Sequence, residues 1–227
     1  MKLKGAAVER VCIMGLGYIG LPTSIIAAEN GYSVLGFDIN EQRVARINNA
    51  DPVIKEPDIT PKLKNVLKKG TFRATTKIEP ADYFVVAVPT PFKDGKKADL
   101  SYVYHAARLI VSVLEKGNTV ILESTIPVGT TEDIAAFLQT ESGLKKGVDF
   151  FVAHCPERVL PGKIFHELIY NSRIVGAINK ASLEPAKKFY NAFVKSQLFL
   201  TNSTTAEMVK LIENSSRDVQ LAFSHQV

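Results

Sequence analysis

Apolar segments alternate with helical patterns along most of this chain. Arg10–Met14 reads RVCIM, Asp82–Val88 reads DYFVVAV and Asn118–Leu122 reads NTVIL, so each is hydrophobic over nearly its whole length. Segments with helical spacing separate them, for example Ser101–Leu114 and Thr130–Gln139. Strands of this kind are buried on both faces, and strands that alternate with helices pair in parallel. The alternation predicts an α/β fold, a doubly wound parallel sheet of Rossmann type.

The same reasoning places the remaining elements. It predicts strands at Ser33–Phe37, Asp149–Ala153, Arg173–Val175 and Gln197–Leu200, and helices at Tyr18–Asn30, Glu41–Asn49, Ile59–Lys69, Ala181–Val194 and from Thr204 to the end. Val159–Asn171 is the least regular segment, because it follows Pro156 and contains Pro161 and Gly162. The 227 residues correspond to one large domain or to one and a half.

Composition excludes several classes of protein. A hydrophobic fraction of 46% argues against disorder, and no apolar run reaches the roughly 18–20 residues that a membrane span requires. The net charge of +5, without a basic cluster interleaved with aromatic residues, suits small anionic ligands and predicts no nucleic-acid partner. Cys12 and Cys155 fit neither a disulfide framework nor a zinc pattern, so we expect no metal site and a reducing compartment, the cytoplasm.

Three glycines carry the first motif that indicates chemistry. Gly15, Gly17 and Gly20 follow a predicted strand and open a helix, and Asp38 ends the next strand. In this context Gly-x-Gly-x-x-Gly is typical of a dinucleotide site, with the pyrophosphate at the helix N-terminus. Asp38 would bind the ribose hydroxyls and disfavour a 2′-phosphate, which predicts NAD as the cofactor. The alternative is a glycine-rich turn without a ligand. Arg43 is either an adenosine neighbour or a solvated helix residue.

Three further loops follow predicted strands, and ligands bind at the carboxyl ends of parallel strands. They are Val88–Phe92 (VPTPF), Glu123–Gly129 (ESTIPVG) and His154–Gly162 (HCPERVLPG). In the second loop, hydroxyl groups face the ligand edge, although Thr130 or Thr131 is also expected to cap the next helix. In the third loop, a glutamate beside an arginine can supply an acid or base and an anion clamp. We expect Cys155 to be a small, half-buried strand-end residue and not a nucleophile, and we expect Cys12, inside the first strand, to be a core residue.

The last predicted helix carries two separate rows of residues. Small or apolar residues recur at heptad-like spacing, and a polar row contains Glu207, Lys210, Asn214 and Arg217. Lys210 and Asn214 lie one turn apart and point in the same direction. By itself such a row is typical of a solvated helix face.

Five segments together resemble the nucleotide-sugar 6-dehydrogenases, the UDP-glucose/GDP-mannose dehydrogenase family. They are GLGYIGLP (15–22), VPTPFK (88–93), ESTIPVGTT (123–131), CPERVLPG (155–162) and TAEMVKLIENSSRDVQLAF (205–223), in the family's order. The resemblance covers essentially the whole chain. PERVLPG, with Pro161 where UDP-glucose enzymes carry a second glutamate, favours the N-acetyl-sugar branch over UDP-glucose dehydrogenases, and the overall resemblance is strongest to the members that oxidise UDP-N-acetyl-D-mannosamine.

The resemblance implies a four-electron oxidation of the sugar C6 hydroxyl to a carboxylate with two NAD⁺, for surface polysaccharide. It implies that Lys210 stabilises oxyanions, that Asn214 is its hydrogen-bonding neighbour, that Glu157 assists water and proton transfer, and that Thr125 holds the catalytic water. The implied NAD site consists of Gly15, Gly17, Tyr18, Ile19, Gly20, Asp38, Arg43, Val88, Pro89, Thr90, Ser124 and Thr125. The implied substrate site consists of Glu157, Arg158, Val159, Leu160, Lys210, Asn214 and Arg217.

The resemblance also indicates what this sequence does not contain. The family's catalytic cysteine lies in a glycine-rich loop far beyond the lysine, and neither Cys12 nor Cys155 stands in that setting. We therefore expect an NAD-binding domain over 1–202 and the start of a connecting helix over 203–227, without the sugar-binding C-terminal domain. Such a chain would bind NAD without turnover and would pair as a homodimer through 203–227. The alternatives are a dehydrogenase for UDP-N-acetylglucosamine or another UDP-hexose, and a non-catalytic NAD-binding module.

Overall fold

The apolar segments form the strands of one sheet in a computed structural model, which describes residues 8–226. The strands are β1 Arg10–Met14, β2 Ser33–Phe37, β3 Phe72–Thr75, β4 Tyr83–Val86, β5 Phe92–Lys93, β6 Lys97–Ala98, β7 Thr119–Leu122, β8 Phe151–His154, β9 Arg173–Ala177 and β10 Leu198–Asn202. The helices are α1 Gly20–Glu29, α2 Glu41–Asn48, α3 Ile59–Lys69, α4 Ser101–Val111, α5 Thr130–Ser142, α6 Ile164–Tyr170, α7 Lys180–Asn191 and α8 Ser203–Ser224. The predicted start of the first domain (1–7) and the predicted final helix residue, Val227, lie outside the described residues.

The sheet has the order β10-β9-β8-β7-β4-β1-β2-β3, and β5 and β6 form a separate antiparallel ribbon. Neighbouring strands of the sheet pair in parallel except β8 and β9, which are antiparallel. The prediction of a doubly wound Rossmann-type sheet is confirmed, and its expectation of uniformly parallel strands is wrong at this one pair. The connection from β8 to β9 contains only the short helix α6, so it returns to the sheet at the edge where β8 ends.

Alternate side chains of the central strand face two separate cores, as a sheet covered on both faces requires. Val11 and Ile13 pack with residues of α1, α3 and α7. Cys12 and Met14 pack on the other face with residues of α4 and α5. Cys12 is fully buried, and burial raises the pKa of its thiol to about 12. It is therefore a core residue, as expected.

Some segments differ from the prediction. Val159–Asn171 is not irregular throughout, because α6 begins at Ile164 once the chain has passed Pro161 and Gly162. Strand β3 was not predicted, since only one of its faces is buried and exposed Arg73 interrupts its apolar pattern. Tyr18 and Ile19 belong to the turn before α1 and not to the helix itself. Within residues 8–226, no helix is both long enough and apolar enough to cross a membrane.

The N-terminus of α5 is capped by a residue that lies far away in the sequence. The carboxylate of Glu207, on α8, accepts hydrogen bonds from the Gly129 amide (2.7 Å), the Thr131 amide (2.7 Å) and the Thr131 hydroxyl (2.6 Å). Glu207 is fully buried. The expectation that Thr130 or Thr131 caps this helix is therefore wrong, because their hydroxyls donate to Pro127 and to Glu207. A negative charge at a helix N-terminus is stabilising, and here it also fixes the first turns of α8 against α5.

Removing this cap should lower the stability of the whole domain. We expect Glu207→Ala to reduce the free energy of unfolding by about 2–4 kcal/mol, because three bonds to a charged group are lost and the buried Thr131 amide and the half-buried Gly129 amide lose their acceptor. Urea unfolding followed by circular dichroism measures the change. The control is Glu184→Ala, an exposed glutamate in the interior of α7. A loss no larger than that of the control would contradict the role of this cap.

Candidate functional site

The strand order reverses between β1 and β4, which marks where a ligand binds in such a sheet. β1 pairs with β2 on one side and with β4 on the other. In open α/β sheets the crevice at this point, at the carboxyl ends of the strands, is the usual ligand site. The loop Gly15–Gly20 leaves β1 here, and the loop Val88–Phe92 follows β4 here. Two of the predicted cofactor loops therefore meet at the expected place.

The three glycines differ in what surrounds them. A Cβ on Gly15 would lie 2.7 Å from the Ala87 carbonyl oxygen, and a Cβ on Gly20 would lie 1.8 Å from the Gly15 carbonyl oxygen. Those two positions therefore require glycine. The position of a Cβ on Gly17 has no protein atom within 4 Å. Among the residues described, no side chain caps α1 at Ile19; Leu21 and Thr23 donate to backbone carbonyls and Pro22 has no amide hydrogen, so the amides left for a ligand are those of the glycine loop and of Gly20. The space and the amides suit a pyrophosphate.

Asp38 holds the loop and faces a cavity of about 260 Å³. Its Oδ2 accepts from the Leu16 amide (2.9 Å) and pairs with the Arg43 guanidinium (2.9 Å), while Oδ1 accepts from the Asn40 amide (3.0 Å). Gly15, Val88 and Pro89 also line this cavity, as does exposed Tyr102. Arg43 is thus tied to Asp38 and is not an independent solvated residue. These contacts suit an adenosine whose ribose lies beside the carboxylate.

A second cavity of about 380 Å³ continues from the first, because Gly17, Val88 and Pro89 line both. Its lining also contains Tyr18, Ile19, Thr90, Ser124, Thr125, Glu157, Val159 and Lys210. Two hydrogen bonds join its loops: the Thr90 hydroxyl donates to the Thr125 carbonyl (2.7 Å), and the Ser124 hydroxyl donates to the Val88 carbonyl (2.7 Å). One cleft is therefore formed by residues that follow the carboxyl ends of β1, β4, β7 and β8, together with Lys210 of α8.

A buried charged cluster lies along this second cavity. Arg173 stands between Glu157, with which it forms an ion pair, and Glu123, whose Oε1 lies 3.7 Å from its guanidinium. The hydroxyl of Tyr190 donates to Glu123 (2.8 Å), and its ring lies 4.7 Å from the guanidinium carbon. Burial raises the pKa of Glu123, and the neighbouring Arg173 opposes that shift. All four side chains are buried, so the loss of one partner would leave an uncompensated buried charge.

Lys210 reaches this cluster from α8. Its Nζ donates to the backbone carbonyl of Glu157, and its side chain is half-buried. Burial lowers the pKa of Lys210; Glu213 opposes this, and Arg217 and Arg158 add to it. Lys210 and Glu157 are thus brought together in the cavity that adjoins the cofactor crevice. A lysine in this place is a cationic donor for an oxygen that acquires negative charge.

Other predicted site residues do not line the cavity. Arg158 is exposed, with its guanidinium bound to Glu213 (2.5 Å) and to the Ser172 carbonyl (2.8 Å). Asn214, Leu160 and Arg217 lie outside the cavity lining, and Leu160 and Arg217 are exposed. Their substrate roles stay predictions.

Cys155 and His154 are both buried behind the cavity. Burial raises the pKa of the Cys155 thiol to about 11, which leaves it unreactive as a nucleophile. Burial lowers the pKa of His154 to about 4, and its Nδ1 lies 2.8 Å from the Leu122 carbonyl. Cys155 is therefore a packed residue, and it is more deeply buried than expected.

Sequence reasoning missed Arg173, Tyr190 and Glu207. Arg173 opens an apolar strand, so a charged residue in an otherwise buried segment was its available signal, whereas Glu207 stands in the polar row of the last helix and gave none. Tyr190 gave no signal, because an aromatic residue in a helix is usually a core residue.

The chain is similar to a defined set of dehydrogenases. Residues 9–194 match the profile described as the UDP-glucose/GDP-mannose dehydrogenase family, NAD binding domain. A UDP-N-acetyl-D-mannosamine dehydrogenase of Pyrococcus horikoshii is 48% identical over 220 residues, covering 96% of this chain and 52% of that protein. An NDP-N-acetyl-D-galactosaminuronic acid dehydrogenase of Ralstonia nicotianae is 44% identical, with coverage of 96% and 53%. The structure of UDP-D-ManNAc dehydrogenase from Pyrococcus horikoshii superposes with a TM-score of 0.93, at 48% identity and coverage of 96% and 52%. This chain spans about half the length of these relatives.

Asp38 should determine which dinucleotide binds. We expect the chain to bind NAD at least about tenfold more tightly than NADP, because the carboxylate accepts from ribose hydroxyls and repels a 2′-phosphate. In Asp38→Asn this preference should shrink by about tenfold or more, since Arg43 is released for a phosphate. Calorimetric titration with both dinucleotides measures the ratio. Asp51→Asn is the matched control, because Asp51 pairs with Arg46 on the exposed surface. Tighter binding of NADP by the unaltered chain would contradict the assignment.

Proposed function

This chain belongs to the UDP-glucose/GDP-mannose dehydrogenase family and carries its NAD-binding domain, and from this we propose that it is the NAD-binding half of a UDP-N-acetyl-D-mannosamine dehydrogenase. One observation carries the proposal: Lys210 and Glu157 meet in a cavity continuous with the dinucleotide crevice. A sugar hydroxyl in that cavity would lie between the lysine and the nicotinamide end of the cleft.

The residues present suit the binding of NAD, which accepts a hydride when bound. The amides of the glycine loop and of Gly20 would hold the pyrophosphate, and Asp38 would hold the adenosine ribose. Lys210 donates to the sugar oxygen as negative charge develops on it, which lowers the barrier through a fixed positive charge. Glu157 lies beside that oxygen's site and takes up its proton. Thr125 orients water in the same cavity.

The second oxidation needs a nucleophile, which we place outside these 227 residues. Cys155 is buried, with a raised pKa, and Cys12 lies in the core, so neither serves. We assign residues 1–202 to the NAD-binding domain and 203–227 to the helix that leads to a second domain. A cysteine of that second domain would capture the aldehyde formed by the first oxidation.

An N-acetylated sugar is the favoured substrate. The relatives with the names given above act on N-acetylated sugar nucleotides, and two sugars, mannosamine and galactosamine derivatives, are represented among them. The segment Glu157–Gly162 borders the cavity where the sugar would lie, and Val159 lines it. We therefore propose UDP-N-acetyl-D-mannosamine, in the cytoplasm, where free thiols such as Cys12 and Cys155 stay reduced.

NADH formation tests the activity. A gene product that joins this chain to a second half like that of the relatives should release two NADH per UDP-N-acetyl-D-mannosamine. It should release less NADH with UDP-glucose, UDP-N-acetylglucosamine or UDP-N-acetylgalactosamine.

Lys210→Met should lower kcat by about 100-fold or more, since removing one oxyanion donor costs about that much. Lys187→Met, on α7, is the control.

The 227-residue chain alone should bind NAD and release no NADH. Turnover by the chain alone, or a preference for UDP-glucose, would contradict the proposal.

We also propose that the protein pairs through α8. Ile212, Val219, Leu221 and Phe223 are exposed on this helix by 52–70% of their surface. Apolar side chains in such number on one helix favour a partner that covers them.

Light scattering at increasing concentration should show a dimer. Replacing Val219 and Phe223 by Ser should shift the species to monomer, because the apolar contact is lost. The control replaces exposed Val148 and Tyr170, which lie away from α8, by Ser. A monomer at every concentration of the unaltered chain would contradict pairing.

A further inference from the structure

Glu56 is a buried carboxylate for which the reaction described above has no role. It lies between α2 and α3, and its neighbours Lys55, Pro57 and Asp58 are exposed, whereas Glu56 is only 9% exposed. Among the residues described, no cationic side chain pairs with it. A carboxylate buried without a counter-ion must obtain its stabilisation from hydrogen bonds.

One oxygen of this carboxylate joins two loops of the cleft. Oε1 accepts from the Tyr18 hydroxyl at 2.6 Å and from the Gly162 amide at 2.7 Å. Tyr18 belongs to the glycine loop and lines the second cavity. Gly162 ends the segment 155–162 and has φ of +86°, so the chain turns there before α6 begins. Glu56 therefore connects the cofactor loop with the segment that borders the sugar site.

The other oxygen is buried and has no hydrogen-bond partner among the described residues. The carboxylate is thus held by its Oε1 contacts alone. Burial and the hydrogen bond to Glu56 raise the pKa of Tyr18 to about 12, so its hydroxyl remains a donor at neutral pH. The Tyr18 hydroxyl can therefore donate its hydrogen bond to Glu56 throughout the neutral pH range.

We propose that Glu56 is a positioning residue that transmits occupation of the NAD crevice, through Tyr18, to the segment 155–162. A dinucleotide that contacts the glycine loop restricts Tyr18, and the bonded carboxylate then restricts the Gly162 amide. By linkage, whatever orders this segment also strengthens dinucleotide binding. The inference rests on the proposed function, because that function assigns the segment 155–162 to the sugar site. It also rests on NAD binding, because NAD is the ligand whose binding restricts Tyr18.

Amide hydrogen exchange, read by mass spectrometry on the 227-residue chain, tests the coupling. The Gly162 amide itself donates to Glu56, so peptides that span residues 157–166 report on the tie directly. Saturation with NAD should slow exchange at Gly162 by about tenfold or more in the unaltered chain. In Tyr18→Phe, which keeps the ring and loses the donor, the slowing should fall to about twofold or less at an NAD concentration that calorimetry shows to saturate this variant.

Two variants of Glu56 separate positioning from bulk packing. Glu56→Met removes the acceptor at similar volume and should abolish the effect of NAD at Gly162. Glu56→Gln keeps a carbonyl oxygen that accepts both bonds and should retain most of the slowing. The matched control is Glu167→Met, because Glu167 also holds this segment, through the Leu160 amide (2.6 Å), without a bond to Tyr18. That variant should loosen the segment and keep its response to NAD.

The outcomes separate this proposal from the cofactor assignment. Full NAD-dependent slowing in Tyr18→Phe or Glu56→Met would overturn the coupling, and so would the absence of slowing in an unaltered chain that calorimetry shows to be saturated. Failure of NAD to bind in calorimetry would instead overturn the cofactor assignment, and the coupling with it. Slowing that is lost in Tyr18→Phe and Glu56→Met but kept in Glu56→Gln and Glu167→Met supports the coupling.

Discussion

The carboxylate of Glu207 at the N-terminus of α5 is the contact on which the geometry of the cleft depends. It satisfies two amides and a hydroxyl of one helix from another, within a buried site. Lys210 follows one turn later on the same helix, so Glu207 helps to hold the turn from which the amino group of Lys210 reaches the carbonyl of Glu157. The position of Lys210, the proposed oxyanion donor, thus depends on the capping of α5 by Glu207 as well as on the packing of α8 against the sheet.

The antiparallel strand β9 provides the second constraint. Because β9 runs opposite to β8, its first residue, Arg173, lies at the edge where β8 ends. A parallel strand would place that residue at the other end of the sheet. Arg173 thereby reaches Glu157 and Glu123 together, and one cation stands among two buried carboxylates. Arg173 thereby offsets part of the cost of burying these two carboxylates.

The sequence predicts local features of this site well and distant contacts poorly. The turn from β1 to α1 and the position of Asp38 follow from glycine spacing and strand patterns within about 20 residues. By contrast, Glu207 and Thr131 are 76 residues apart, and Glu56 and Gly162 are 106 residues apart. No local pattern encodes such pairs, and in a helix a glutamate at position 207 is indistinguishable from a solvated one. The direction of β9 was missed for the same reason, since strand polarity depends on the connection and not on the strand's own residues.

Carboxylates from distant parts of the chain bind the backbone amides around this edge of the sheet. Asp38 accepts from Leu16, Glu56 from Gly162 and Glu207 from Gly129. Among the residues described, no side chain caps the first turn of α1 at Ile19, and the space beside Gly17 is open. An amide cluster that lacks its own carboxylate is where an external anion is bound most favourably. The carboxylates thus stabilise the loops by binding their amides, and the amides that no carboxylate binds mark the position for the dinucleotide's phosphates. Glu56 connects the two ligand sites, because its partners lie on both the cofactor loop and the sugar segment.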